Sequence, residues 1–251
     1  MRALQFLVVF FFVSNGVFSQ TNKWQVDAGL SFGMALPQGE HKYSESSIRA
    51  TQYALPGWNF RFDCHSGLSN GWKVGLTYSR YHSNIATSEL SARLLGTVDT
   101  NGFAVMTRKT DGSFYESAGW SVQLAKDISS GRILITPQFA LGIATLLVGY
   151  SVKYDMKQIG TNYSKEVLIE ADSRNGVGFL ISTGVKLGYT FDINGHRFCL
   201  FALGEYYGYR CATALKYTTT DILENVNTNF QWFTGDVKYA GLNLGMTYFV
   251  K

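Results

Sequence analysis

Three residues of this sequence have the side chains that a hydrolytic site needs. His82 is followed directly by Ser83, and Glu116 lies at the start of a later segment with strand-like alternation. A hydroxyl activated by an imidazole, which a carboxylate orients, can carry out acyl transfer or hydrolysis. The three groups must converge within hydrogen-bond reach, and no local motif ensures this. We therefore expect no catalytic site and keep these residues as weak candidates; polar residues at a strand end are the alternative.

Other common chemistries lack their motifs. Cys64, Cys199 and Cys211 are too widely spaced for a zinc motif, and their odd number leaves at least one unpaired thiol in an exported chain. The glycines of segment 184–188 lie inside a strand-like segment rather than before a helix. The net charge of +4 comes without a basic cluster. We expect no cofactor, no metal and no nucleic-acid partner.

The N-terminus has the features of a secretory signal. Arg2 precedes an apolar stretch from Ala3 to Val13, and Val17-Phe18-Ser19 suits cleavage before Gln20. Residues 1–19 are predicted to be a cleaved signal peptide and residues 20–251 the mature protein. The alternative is an uncleaved anchor helix, for which the apolar stretch is short.

Period-two alternation dominates the rest of the chain, which has 16% charged residues, 15% aromatic residues and 26 glycines. In the first such segment, Trp24, Val26, Ala28, Leu30, Phe32, Met34 and Leu36 alternate with small or polar residues. This pattern is typical of strands with two different environments. It returns in seven further segments, which include residues 58–65, 72–79, 117–124, 135–144, 178–189, 197–210 and 240–250.

The connections between these segments alternate strictly between short and long. Short turns lie at residues 66–71, 129–131 and 192–195, and the other four connections are long. Short turns on one side and long loops on the other are typical of outer-membrane barrels. The sequence therefore predicts an all-β fold, an eight-stranded antiparallel up-and-down transmembrane β-barrel. A hairpin in the second long loop, turning at 97–101, would give ten strands.

The third long loop continues the alternation. We predict that it extends as a hairpin that turns at 160–162, and that its edges offer a surface to a partner protein.

Charged side chains on the small and polar faces would lie inside the barrel. A carboxylate facing lipid is costly, so Glu205 is placed inward, which also turns Phe201 and Leu203 inward. Buried charges persist when they are paired. We predict an interior charge network rather than an open pore, because eight strands leave room only for side chains. Its members are Asp27, Arg61, Asp63, Lys73, Lys186 and Glu205.

Aromatic residues lie near the ends of the outward faces, where barrels carry interfacial girdles. The predicted girdle residues are Trp24, Trp72, Tyr189 and Tyr248 at the periplasmic end and Trp58, Tyr78 and Trp120 at the external end.

The mature chain resembles the small outer-membrane barrels of the OmpA and OmpX type, particularly the barrel domains of Bacteroidetes. The C-terminal segment 241–251 carries the resemblance best, because it is similar to the assembly signal of that family. The resemblance implies a Gram-negative outer membrane and binding of Leu244, Met246, Tyr248 and Val250 to the barrel-assembly machinery. The family usually ends in Phe, whereas Val250 and Lys251 stand here.

Three functions remain open. The first is a non-enzymatic barrel in contact with outer-membrane lipid, which supports the envelope, contacts other surfaces or envelope proteins through its long loops, or assists a secretion or assembly complex. The second is an enzyme that acts on lipid A or phospholipid, as in some barrels of the resembled type. The third is a soluble, secreted β-sandwich, whose apolar faces would pack together.

Overall fold

The computed structural model describes residues 26–38, 54–172, 176–221, 223 and 225–250. The predicted signal peptide and Trp24 lie outside these residues. Ten strands, one α-helix and one 3₁₀ turn (Ser69–Gly71) are present in this part of the chain. The strands and the helix are β1 (Val26–Pro37), β2 (Ala54–Gly67), β3 (Trp72–Ile85), α1 (Thr87–Leu95), β4 (Phe103–Lys126), β5 (Ile128–Ser130), β6 (Ile133–Gln158), β7 (Ser164–Asp172), β8 (Gly176–Ile193), β9 (His196–Asp221) and β10 (Val226–Val250).

Eight of these strands form a closed ring. β1, β2, β3, β4, β6, β8, β9 and β10 each pair antiparallel with two neighbours. The ring closes where β1 pairs with β10, from Val26 opposite Val250 to Pro37 opposite Tyr239. The all-β antiparallel fold is confirmed, but eight strands is too low a count for the described residues. β7 pairs with β6 and β9 beyond the ring, and β5 continues the β4 ladder with β6 after a short interruption.

Tight turns join the strands at one end of the ring. Asn70 (φ 58°) and Gly71 (φ 79°) turn β2 into β3, and Asn194 (φ 49°) and Gly195 (φ 79°) turn β8 into β9. Two consecutive positive φ angles match the twist of a β-hairpin, and Asn and Gly tolerate them best. The short β5 pairs with the start of β6 at this same end.

Four of the ring strands continue beyond the ring at the opposite end, and a fifth strand joins them there. The outer parts of β4, β6, β9 and β10 extend past the last ring pairs, and β7 fits between β6 and β9. We call this extension the canopy; it comprises residues 103–111, 151–158, 164–172, 214–221 and 226–234, together with α1.

The canopy confirms the predicted extended hairpin, which turns at Gly160 (φ 79°). The edges of that hairpin are not free, because β7 pairs with both β6 and β9. The expectation of a hairpin in the second long connection was wrong, because the helix α1 forms there instead. Leu90 and Leu94 of α1 are buried against the inner face of the canopy. Within the described ranges, no helix has the length and apolar character needed to cross a bilayer.

Alternate residues of the ring strands face opposite sides. The rows on the outer surface are apolar and exposed, with Phe32 60%, Ile143 61% and Leu244 71% exposed. The opposite rows are buried in the interior. The apolar rows therefore do not meet in a shared core, as a soluble β-sandwich would require.

Candidate functional site

Arg61 is the centre of a buried network in the half of the interior near the short turns. Its Nε donates to Asp63 at 2.8 Å, and its two terminal nitrogens donate to Glu205 and Gln123, each at 2.5 Å. Arg61 and Asp63 are 2% and 1% exposed. Two carboxylates compensate one guanidinium, which is how a charge tolerates burial.

A second cluster lies closer to the short turns. Lys73 Nζ lies 2.5 Å from both Asp27 and Asp127, and His65 Nδ1 lies 2.9 Å from Asp27. Lys186 lies near the first cluster, 3.8 Å from Asp63 and 4.3 Å from the ring centre of Phe201.

All six interior charges predicted from the sequence face inward and form ion pairs with one another. Glu205, Phe201 and Leu203 are buried, so the inward placement of this part of β9 is confirmed. Sequence reasoning did not include Asp127, which lies between β4 and β5, or His65, Gln123 and Asn243, whose side chains also join the interior network. The signal that could have found all four is their inward position in the alternating rows of the strands.

Tyrosines fill the interior between this network and the canopy. The Tyr81 hydroxyl donates to Glu205 at 2.9 Å, and the Tyr81 ring lies 4.3 Å from that of Tyr207 and 5.3 Å from that of Tyr239. Aliphatic residues such as Leu146, Val148 and Leu180 complete this layer. The outer half of the interior is thus largely apolar, and the charge network predicted from the sequence fills only the half near the short turns.

The three weak catalytic candidates do not converge. His82 lies on the outer surface, stacked at 5.3 Å on Trp58 and 5.8 Å on Phe114. Ser83 is the next residue of the same strand, so its side chain faces the interior, where it is 0% exposed and lies 3.4 Å from the Tyr239 hydroxyl. Glu116 is opposite His82 in the register but pairs with Arg80 at 2.8 Å. The candidate His82–Ser83 pair is therefore wrong, because neighbouring residues of a strand face opposite sides.

The outward rows carry no charged side chain over a continuous band. The uncharged stretches end at Arg80, Glu116, Lys153, Arg210 and Lys238 on the canopy side and at Lys126 on the side of the short turns. The uncharged outward rows consist of alternate residues, beginning with the first, in the ranges 28–36, 58–66, 72–78, 118–124, 133–151, 177–191, 198–208 and 240–250.

The described girdle candidates all lie on the outward face. Tyr78 and Trp120 contact each other with ring centres 5.0 Å apart. Near the short turns, Tyr248 shares a hydrogen bond of 2.8 Å with His196. Trp72, Trp120 and Tyr189 are 40%, 40% and 49% exposed.

The residues of the C-terminal signal also face outward. Leu244, Met246 and Val250 are exposed on β10, which pairs with β9 on one side and β1 on the other. In the described part of the chain, no three His, Cys, Asp or Glu side chains are grouped as a metal site, and Cys64, Cys199 and Cys211 are free thiols.

No protein-family model matches this chain, and no curated protein matches it. Among solved structures, it is similar to a major outer membrane protein of Thermus thermophilus, with 12% identity over 91% of this chain and 100% of the other and a TM-score of 0.48. Neisserial surface protein A has 11% identity, coverage of 90% and 96%, and a TM-score of 0.36.

The toluene transporter TodX of P. putida has 11% identity, coverage of 92% and 80%, and a TM-score of 0.23. Because these scores are low, the architecture rests on the strand pairing of this chain.

Proposed function

We propose that this chain is an outer-membrane protein of a Gram-negative bacterium, an eight-stranded up-and-down transmembrane barrel with two added strands and a blocked interior. The uncharged outward band around the closed ring carries the proposal, because hydrocarbon accepts apolar side chains and leaves no partner for an open strand edge. The resemblance to barrels of the OmpA and OmpX type supports the same assignment.

Strand β6 supports the orientation. Its outward row is uncharged and mostly apolar from Ile133 to Leu147 and then changes to Lys153, Asp155 and Lys157, which lie in the canopy. Ion pairs between Lys153 and Glu166 and between Lys216 and Glu170 (3.1 Å) suit a face in water. The short turns are then periplasmic and the canopy stands at the cell surface. The outward row of β10 that holds Leu244, Met246 and Tyr248 would be available to the barrel-assembly machinery.

The filled interior supports a role other than general diffusion. Paired charges around Arg61 occupy one half, and the tyrosines around Tyr207 occupy the other. Eight strands enclose only enough space for such side chains. The proposed role is envelope support, surface contact or assistance to a secretion or assembly complex.

The outer edge of β10 supports the surface-contact role. From Val226 to Thr234 it pairs with β9, and no described strand pairs with its other edge. This stretch has no charged residue, no proline and no bulge, and Trp232 is 61% exposed. An uncharged free edge accepts a strand of another polypeptide. The opposite edge of the canopy, on β4, also has no described partner strand; it carries Arg108, Lys109 and two irregularities of register, which weaken pairing.

Folding into lipid vesicles tests the proposal. The mature chain should insert into phosphatidylcholine vesicles, migrate as a compact species in unheated SDS gels and give no steady conductance across a planar bilayer. A chain that stays soluble and monomeric without detergent would contradict the membrane assignment. A stable open conductance would contradict the blocked interior.

We also propose that the barrel is not a lipid-modifying enzyme. Support comes from the opposite directions of His82 and Ser83 and from the ion pair that Glu116 forms with Arg80. Cells with His82→Ala should have the same lipid A and phospholipid composition as wild type, measured by mass spectrometry. If wild-type cells carried a modification of lipid acyl chains that was absent in His82→Ala cells, the proposal that the barrel is not an enzyme would be wrong.

A further inference from the structure

The outer part of β10, residues 226–234, directs half of its backbone groups away from β9. Across the seam with β1, Gln38 donates its backbone N–H to the Lys238 carbonyl. Alternate residues of a strand direct N–H and C=O to the same side, and the register of β10 with β9 is continuous from 226 to 249. The even-numbered residues of 226–234 therefore present their N–H and C=O groups along the edge that no described strand covers.

The side chains beside this edge are uncharged and exposed on both faces of the strand. Phe230 and Trp232 lie on the outward row and are 44% and 61% exposed. Asn229 and Gln231 lie on the other row and are exposed as well. Because cross-strand neighbours pair best with side chains of similar character, a strand that fits here alternates apolar with uncharged polar residues.

The direction of β10 determines the direction of a strand added to it. β10 runs from the canopy to the end with the short turns, which is toward the membrane in the proposed orientation. The described strand pairs of this sheet are antiparallel, and antiparallel pairing is the more stable kind. An added antiparallel strand therefore leaves the membrane, with its N-terminal end beside Thr234 and its C-terminal end beside Val226.

A second copy of this chain does not supply such a strand from its own β10. Two barrels in one membrane have the same orientation, so both β10 strands run toward the membrane and can meet only in parallel. In each copy β1 has the required direction, but it is paired on both sides, with β10 and with β2. The geometry favours a strand from a different polypeptide.

The distance to the membrane indicates how that polypeptide is held. Thr234 precedes Lys238, which ends the uncharged outward row of β10, by four residues, or about 14 Å of strand. About four or five extended residues span this length. A membrane anchor at the N-terminus of the partner thus places the following residues beside the edge and raises their local concentration. A C-terminal anchor would require the partner to reach the far end of the edge first.

We propose that the outer edge of β10 binds, as an antiparallel strand, the first extended segment of a surface protein that is anchored in the outer leaflet by its N-terminus. The inference rests on the proposed membrane and surface-contact function and specifies the partner of that function. The segment is uncharged, alternates apolar and polar side chains, and follows the anchor after a short linker.

Two synthetic lipopeptides test the direction. Both contain the same run of alternating valine and threonine residues and a short glycine–serine linker, with a palmitoyl chain at the N-terminal end of one and at the C-terminal end of the other. The mature protein is folded in phosphatidylcholine vesicles that hold one lipopeptide in both leaflets, with a photo-crosslinking amino acid at Thr228 or Thr234. Capture of the N-terminally anchored peptide should be about fivefold greater.

The positions of the crosslinks report the direction of the bound strand. A crosslinker at Thr234 should attach to the N-terminal half of the peptide, and one at Thr228 should attach to its C-terminal half. The reverse order would mean a parallel strand and would overturn the inference.

Thr228→Pro tests whether binding uses the backbone. It removes an N–H that points away from β9, which proline tolerates on an edge strand, and should lower capture by a crosslinker at Thr234 about fivefold. Thr228→Val is the matched control; it keeps the N–H and should leave capture unchanged. Equal capture by the two variants would argue against strand addition.

The remaining outcomes separate this inference from the proposed function. Equal capture of both lipopeptides would overturn the N-terminal anchor and leave the surface-contact role intact. Crosslinks to residues 39–53 of the same chain, or to a second copy, would overturn the inference, because this protein would then cover the edge itself. Wild type that inserts into vesicles but captures neither peptide would overturn it without affecting the membrane assignment. Failure to insert would refute both proposals.

Discussion

Arg61 is held from three directions inside the ring, and this makes it the residue on which the interior charges depend most. Asp63 and Glu205 are both buried and both accept from its guanidinium. A buried ion pair adds little stability compared with apolar residues of the same size. Removal of one partner, however, leaves the other charge buried and uncompensated, which is strongly destabilising. The energetic role of Arg61 is therefore to keep two carboxylates compatible with burial.

Replacement of Arg61 by alanine should destabilise the folded barrel by about 3–5 kcal/mol, because Asp63 and Glu205 lose their shared cation. Urea unfolding in vesicles, followed by tryptophan fluorescence, measures the change. Lys153→Ala is the control; it removes an exposed cation of the canopy and should leave the midpoint nearly unchanged. The double variant Arg61→Met, Glu205→Gln should be more stable than Arg61→Met alone, and equal stability would argue against the pairing.

Tyr154 ties the helix α1 to the canopy, outside the uncharged band. Its hydroxyl donates to the Ser91 carbonyl, and burial raises the pKa of Tyr154 to about 12. Since the pKa is higher in the folded state, the stabilisation is complete below the usual tyrosine pKa of about 10 and is lost as the pH rises toward 12. Hydrogen exchange of α1 should accelerate over this range.

Tyr154→Phe removes the titrating group and should flatten that pH dependence of exchange. It should also loosen α1 at neutral pH by about 1 kcal/mol, because one hydrogen bond is lost. An unchanged alkaline transition in Tyr154→Phe would assign it to another tyrosine, with Tyr217 as the first alternative.

The sequence predicted which charged side chains face inward better than it predicted which polar side chains come together in a site. Glu205 was placed correctly because a carboxylate facing hydrocarbon is costly, and that cost decided the phase of an ambiguous strand. His82 and Ser83 failed as a pair because adjacency in sequence means opposite faces in a strand. Asp127 was missed because the predicted alternating segment ended at residue 124, although Asp127 continues the inward row of Gln123 and Ala125.

Strands in which apolar and polar residues alternate regularly were easier to predict than elements without such a pattern. The alternation through 150–158 and 163–169 gave the extended hairpin and its turn, since the backbone there keeps one period. The second long connection has no such period, and α1 forms because Leu90 and Leu94 find a tyrosine-rich surface contributed by distant strands. Pro137 has no backbone N–H to donate, and the ladder on the β4 side of β6 is interrupted opposite it, between the pairs Ala125–Gln138 and Ile128–Ile135, while its register with β8 is continuous.

The outer part of β10, whose second edge no described strand covers, yields a prediction at the level of strands. Under the proposed surface-contact role, a photo-crosslinking amino acid at Gln231 should capture envelope proteins in intact cells, because an uncharged strand edge favours strand addition. The same group at Lys109, on the irregular β4 edge, is the control and should capture less. Adding Asn229→Lys should abolish the capture at Gln231, since charge on an edge opposes pairing. Equal crosslinking from both edges would contradict a strand-addition site.

At the scale of the whole molecule, the ring is stratified along its axis. Ion pairs occupy the half near the short turns, tyrosines and aliphatic side chains occupy the other half, and α1 covers the canopy side. The alternating rows and turn lengths predicted the ring, because both depend on local sequence. The pairing of β7 with β9 and the apolar outer half were not predicted, because they depend on which distant residues meet.

The seam between β1 and β10 has a consequence for how such a molecule is made. Val26 and Val250 are partners, so the earliest and latest segments of the folded part pair with each other. Bringing remote segments into contact is entropically slow, and in the proposed membrane setting every intermediate before that moment has two unpaired borders facing lipid. Insertion must therefore wait for the whole polypeptide, and a product interrupted shortly before its end should be cleared by proteases rather than accumulate as a partly built ring.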